Sequence, residues 1–289
     1  MMPWMEKQSL VGRWSLRAIM LVLAILMLFP FIYILAVSFS NNTDVADGKL
    51  IIFPLHPTLG AYSWVLQGTG IVQGVEISIF LAVVGTAFNM ALTVTMAYAL
   101  SRKGVPGGKF ALWLVLLTLL ITPGLITKYL VVRQFGLIDS LWSLIIPSAI
   151  VPFNLVVLRQ FFLTIPEELI DSARLDGAND LRILWNIVLP LSKAALAAIA
   201  LFYAVAHWND FFEATIYLNN SQLYPVSVIL RSLVLQGAPI SQALPGQTPP
   251  PDLTIQMAVV VIATLPILLV YPFLQKYFSK GVLTGSIKG

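Results

Sequence analysis

The sequence predicts an all-α integral membrane protein with six transmembrane helices and a short helical element between the fourth and fifth. Three observations predict it: few charges, six apolar runs of spanning length, and a lopsided distribution of lysine and arginine. Of 289 residues, 58% are hydrophobic and only 10% are charged. The mean hydropathy is +0.87. A soluble domain typically carries about 25% charged residues to hydrate its exterior, so the bilayer is the solvent that fits this surface.

Composition also excludes several chemistries. The chain has no cysteine, which removes disulfides, thiolate catalysis and cysteine-ligated metals. His56 and His207 are the only histidines and lie far apart in sequence, so no metal site is expected. The basic residues are spread along the chain rather than clustered, so the pI near 9.3 does not point to nucleic acid.

Crossing a core of about 30 Å takes about 20 helical residues. The runs that meet this are Ala18–Phe39, Ile71–Leu100, Phe110–Leu130, Leu141–Phe162, Leu191–Leu218 and Ile255–Phe278. The first has a positive flank, but it exceeds a signal-peptide core and no small-residue cleavage site follows, so it reads as a retained helix. Counting Lys and Arg on alternate sides of these spans gives 13 against four of the 17. The excess marks the cytoplasmic face, which then holds both termini, the Ser101–Lys109 loop and the stretch after Phe162. The opposite side receives the loops near 41–70, 128–140 and 219–254. The last contains GAPISQALPGQTPPPDL, whose Pro and Gly predict an exposed, partly extended loop. Trp64, Trp113 and Trp142 are expected in interfacial aromatic belts.

Seven charged side chains crowd between Glu167 and Pro190, five acidic and two basic. Thr164 and Glu167 have capping-box spacing, with Pro166 suited to a first turn. Glu167 and Glu168 sit where a helix dipole favours negative charge. Leu169, Ile170 and Ala173 form an apolar stripe, and Gly177 is placed to end the helix at positive φ. Asn179 can cap a second helix whose Leu181, Leu184, Trp185 and Val188 lead to Pro190. Such a hairpin either lies on lipid headgroups or docks a protein. The acidic excess favours docking, because an anionic leaflet attracts the opposite charge.

Two further sets are candidates for a translocation pathway. Gly85, Asn89 and Thr93 share one face of the second span, either as a close-packing seam or as pathway lining. Trp208, Asn209, Asp210 and Glu213 sit in the outer half of the fifth span. There, carboxylates must face water, a partner or the pathway. An aromatic face beside hydrogen-bonding groups suits a sugar, and the same groups suit a neighbouring subunit. Glu76 belongs near the outer interface rather than the midplane.

The residues DSARLDGANDLRILWNIVLP resemble the cytoplasmic signature of binding-protein-dependent ABC importer permeases. Asp171-Ser172-Ala173 stands where that family has E-A-A, Asp176-Gly177-Ala178 matches D-G-A, and Ile187 to Pro190 matches its closing I-x-L-P. HWNDFFEATIYL resembles the W-N-D/E-F segment of the sugar branch. The ending LPILLVYPFLQKYFSKGVLTGSIKG is similar to that of the second maltose permease subunit. Asp replaces Glu and Ser replaces Ala in the first motif, and Leu184 beside Trp185 replaces the usual aromatic.

The resemblance spans about Val72 to Gly289 and implies the type I ABC importer permease fold in a bacterial plasma (inner) membrane. It divides the chain into residues 1–71 (N-terminus, first helix and outer loop), a five-helix permease core over 72–278, and a cytoplasmic tail over 279–289. It implies a second homologous permease, two ATPase subunits and an extracytoplasmic solute-binding protein as partners. Glu168, Asp171, Ser172, Ala173, Leu175, Asp176, Gly177, Ala178 and Pro190 would then couple the chain to the ATPase. The tail either enters the ATPase interface or frays. The implied cargo is a sugar or oligosaccharide, uronic-acid-containing ones among them, with another polar solute as the alternative. An ATP-independent secondary transporter is disfavoured by the absence of an evident inverted repeat and of an obvious midplane carboxylate. Gly107-Gly108-Lys109 falls short of a P-loop, so ATP and Mg belong to the ATPase partners and the chain is expected to bind no cofactor and catalyse nothing itself.

Overall fold

A computed structural model describes residues 10–41, 44–45, 52–68, 70–121, 123–235 and 252–285. In chain order its main helices are α1 (Leu10–Ser38), α2 (Gly60–Gly68), α3 (Ile71–Ser101), α4 (Gly108–Leu120), α5 (Leu125–Gln134), α6 (Trp142–Ile145), α7 (Pro152–Leu163) and α8 (Glu167–Leu175). There follow α9 (Asp180–Leu191), α10 (Lys193–Asn209), α11 (Phe212–Tyr217), α12 (Val226–Leu235) and α13 (Asp252–Gly285). No strand occurs among the described residues. The chain forms two compact units: Met1–Thr69 with Ala238–Ile262, and Gly70–Gly237 with Ala263–Gly289.

In the first unit, α1 carries an apolar surface that is exposed along most of its length, Met20, Leu26 and Met27 included. Such a helix needs lipid or another protein around it. Its C-terminal turn is buried at Ala36 and Val37, and the Ser38 hydroxyl lies 2.8 Å from the Tyr62 hydroxyl. Trp64 is only 2% exposed. Its expected place in an interfacial belt is therefore corrected: α2 packs its indole inward. Trp113 and Trp142 remain exposed.

The second unit is organised by α3, which packs along α7 and α10. Ala97, Leu155, Leu158, Phe162, Ile199 and Tyr203 form its main core, which continues into Ile170, Ile183 and Val188 of the α8–α9 hairpin. A second core joins Leu81 to Val132, Leu144, Ile145, Ala214, Tyr217 and Val228.

Three helices are individually long and apolar enough to cross a membrane: Trp14–Ser38, Ile71–Ser101 and Asp252–Val270. The other expected spans are broken, each at a residue that breaks helices. The third is split between α4 and α5 around Pro123-Gly124, and the fourth between α6 and α7 around Pro147 and Pro152. Proline removes an amide donor and obstructs the preceding turn. The fifth, expected from Leu191 to Leu218, begins at an 86° bend between α9 and α10, just after Pro190, and is interrupted at Asp210. The proline-rich loop over 236–251 and residues 286–289 lie outside the described residues. The backbone of the expected tail is helical as far as Gly285.

Candidate functional site

The charged stretch folds as the hairpin α8–α9. Its helix start differs from expectation: the capping box does not form, because the Thr164 hydroxyl donates back to Phe161 O at 2.7 Å. Pro166 stands at the N-cap position without a side-chain bond, and Glu167 and Glu168 alone supply the negative first turn. The other end closes on two of its own carbonyls. Gly177 has φ of 80° and donates to Arg174 O, while Ala178 N–H donates to Ala173 O. Those two bonds make a Schellman turn, which only a residue comfortable at positive φ closes without strain. The Asn179 carboxamide then accepts Arg182 N–H at 2.9 Å and starts α9.

This hairpin is anchored on one side only. Ile170 is buried at 3% exposure, and Ala173 and Ala178 pack against the same core. Glu168, Asp171, Ser172, Leu175, Asp176, Gly177 and Pro190 are exposed, and Leu175 is 90% exposed. The expected ATPase-coupling residues thus split into an inner pair of alanines and an outer acidic face tipped by a leucine. Asp171 lies 3.9 Å from Arg174, which also meets Asp180 at 3.3 Å. Lys103 pairs with Glu167 at 2.7 Å, and that hydrogen bond holds the lysine above its ordinary pKa. Within α9, Leu184–Val188 takes a wider π-helical turn. Ser192 N–H is shared between the carbonyls of Val188 and Leu189 at the bend.

The polar residues of α3 lie in the interior. Asn89 and Thr93 are both 0% exposed. Asn89 Nδ2 donates to Ser148 O at 3.1 Å and lies 3.3 Å from His207 Nε2. Thr93 shares a 2.7 Å hydrogen bond with the Tyr203 hydroxyl, which accepts Val151 N–H. The seam closes because position 85 has no side chain: a Cβ there would stand 2.6 Å from His207 Nε2. His207 was not anticipated as a partner of this seam. Its signal was the small Gly85 one turn before a polar Asn89, a gap waiting for a ring.

Trp208, Asn209, Asp210 and Glu213 do not form one cluster. Trp208 is buried at 8% exposure, while exposed Asn209 bonds its own helix at Val205 O. Asp210 accepts Glu213 N–H at 3.1 Å and so starts α11. Ser227 bonds the Asp210 carbonyl at 2.9 Å. Glu213 meets Lys128 of α5 at 3.5 Å, and Arg231 covers the Phe211 ring at 4.4 Å. Asp139, with φ of 63°, holds the following turn by accepting Asn219 and Asn220 N–H, each at 2.8 Å. Lys128 and Asp139 were not anticipated as part of this end, because their partners are distant in sequence.

Residues 5–284 match the family described as "Binding-protein-dependent transport system inner membrane component". A Bacillus subtilis (strain 168) relative, "Polygalacturonan/rhamnogalacturonan transport system permease protein YtcP", is 44% identical over 277 residues, covering 93% of this chain and 96% of that one. Protein LplC of the same organism is 45% identical over 269 residues, covering 91% and 90%. Among solved structures, a chain of a bacterial ABC transporter involved in importing the acidic polysaccharide alginate superposes with a TM-score of 0.88. It is 29% identical and covers 96% of this chain and 100% of that one.

Proposed function

Because the chain belongs to the binding-protein-dependent transport system inner membrane components, we propose that it is the permease subunit of an ABC importer for an oligosaccharide, with an acidic one the leading cargo. The carrying observation is the exposed acidic face of α8 on a Schellman-capped hairpin whose root lies in the permease core. The YtcP and alginate-transporter similarities support the cargo class.

In this reading six segments cross the membrane, those broken at Pro123, Pro147 and Asp210 included. Both termini and α8 face the cytoplasm, as the excess of Lys and Arg favours. The domain limits expected from sequence, residues 1–71, 72–278 and 279–289, are kept. A second homologous permease completes the pathway, two ATPase subunits bind and hydrolyse ATP with Mg, and a solute-binding protein delivers cargo on the far side. The chain itself binds no cofactor. Leu175, Asp171 and Asp176 present α8 to the ATPase cleft, and Ile170 transmits its displacement to α7 and α9. Pro190 sets the bend through which α10 receives it. A rigid helix suits this task, because ATP shifts the inward–outward population only as far as the two states differ in ATP affinity.

The test is purification of the tagged chain from its own membranes in mild detergent. ATP hydrolysis is then assayed with the binding protein, empty or loaded with oligogalacturonate or a neutral oligosaccharide. Copurification of a second permease and an ATPase, with hydrolysis stimulated more by the acidic cargo, is the expected result. Isolation of this chain alone, moving solute in vesicles without ATP, would defeat the reading.

A further inference from the structure

A cavity of about 480 Å³ opens where the end of α3 meets α9. Ala99, Leu181 and Leu184 give it an apolar wall, and Arg102, Lys103 and Arg174 bring three cations to it. Pairing separates the three. Lys103 is held by Glu167 at 2.7 Å. Arg174 is held by Asp180 at 3.3 Å, and that carboxylate also accepts the Tyr98 hydroxyl at 3.4 Å. Arg102 has no carboxylate partner among the described residues. Its guanidinium lies over the Tyr98 ring at 4.6 Å, and its Nε and Nη2 are buried with no hydrogen-bond acceptor. Buried donors without a partner are rare and costly, and a charged one more so.

We propose that this cavity binds one anionic phospholipid, its phosphate on Arg102 and an acyl chain along Leu181 and Leu184. Both donors are shielded from the cavity while the guanidinium lies on the Tyr98 ring; a lipid would draw the group off that ring, and its adjacent Nε and Nη2 then match two phosphate oxygens. Arg102 lies one residue past the end of an apolar span at Ser101, the depth at which a headgroup sits. Basic pockets between membrane helices are a recognised headgroup environment. The apolar wall favours a lipid over a free phosphate, which has nothing to place there. Arg174 belongs to the last turn of α8, so a bound lipid would brace the hairpin from beneath. The proposal rests on α3 crossing the bilayer and does not require α8 to dock an ATPase.

The test is native mass spectrometry of the purified chain, with the subunits that copurify, in neutral detergent with phosphatidylglycerol or phosphatidylcholine. The wild type should retain one phosphatidylglycerol with a preference of about tenfold. Arg102→Gln should abolish that preference. Ala99→Trp should block binding by filling the wall while leaving the guanidinium intact, which keeps the test open if the arginine variant does not fold. Equal retention of both lipids, or an unchanged preference in both variants, would overturn the proposal. Displacement by equimolar glycerol phosphate would also overturn it, by assigning the site to a soluble phosphate. So would expulsion of the lipid when ATPase subunits bind, which would give the cavity to a protein contact. An absence of ATPase with lipid preference intact would count against the importer reading and leave this site standing.

Discussion

Two glycines mark two ways in which this chain uses missing side chains. At Gly177, in the turn after α8, φ is 80° and nothing stands within 4 Å of the position a Cβ would take. At Gly85, in the middle of α3, φ is an ordinary −60°, but His207 occupies the place of the side chain. The first glycine is needed for its torsion and the second for its volume. The difference extends to their surroundings. Around Gly177 the polar groups point outward and keep short-range partners, as a surface offered to another molecule does. Around Gly85 they close on one another between α3, α10 and the segment leading into α7, which fixes the helices and leaves Asn89 Oδ1 buried without a partner among the described residues.

The largest effect should follow at the interior glycine. Gly85→Val places methyl groups inside the His207 ring, and overpacking of this kind costs about 1–3 kcal/mol or more. Because the ring is also tied to Asn89, the variant should be recovered mainly as aggregate on detergent size exclusion. Gly85→Val combined with His207→Ala should recover much of the loss, since the double variant removes the colliding ring. Failure of that rescue would show that the seam is closed by something other than this contact.

Gly177→Val comes next, and it inverts the pattern. The open space removes any steric penalty, leaving a torsional cost of about 1–2 kcal/mol. The core should hold and the protein should insert with near-normal yield, while the Schellman turn opens and α8 changes its exit angle. The expected result is loss of solute-stimulated ATP hydrolysis with the assembly still formed. Wild-type transport by this variant would remove the lever role from the turn.

The legibility of these regions in the sequence follows the same divide. The hairpin was readable because its logic is local: Glu167 and Glu168 at a helix start, Gly177 at its end, and Asn179 capping the next helix. Thr164 misled because its hydroxyl had a competing acceptor in the turn before it, which spacing cannot reveal. The apolar runs marked where the chain is hydrophobic, but not that Pro123, Pro147 and Asp210 would interrupt the helices. The interior seam was only half visible. Asn89 and Thr93 declared a polar face, but their partners His207 and Tyr203 lie more than a hundred residues away, as do the partners that join Gln73 to Gln222. Trp64 was misplaced because an interfacial and a buried indole have the same sequence signature.

Asp210→Ala sharpens the comparison at smaller amplitude. Its carboxylate starts α11 by accepting Glu213 N–H, and loss of such a cap costs about 1 kcal/mol. The thermal midpoint should fall modestly. Asp210→Asn should retain most of the stability, because the carboxamide oxygen still accepts the bond. Equal loss in both variants would mean that the charge, rather than the cap, holds this end.

The smallest effect should come from the only ion pair joining the Arg102–Gly107 turn to α8 among the described residues. Lys103 and Glu167 are 2.7 Å apart, but their side chains are 84% and 62% exposed. Water and salt screen such a pair, and fixing two long side chains offsets much of its attraction. Lys103→Gln should therefore leave the thermal midpoint unchanged at physiological salt, despite having the shortest ion-pair contact in the hairpin. Arg174→Gln should cost more, because Arg174 engages Asp180 together with Tyr98 and closes α8 against α9. Measuring both variants at low and high salt checks this ranking. The Arg174 pairs are exposed too, with the arginine at 49%, Asp171 at 69% and Asp180 at 65%, so both deficits should shrink as salt rises, Arg174→Gln keeping the larger because the arginine meets two carboxylates.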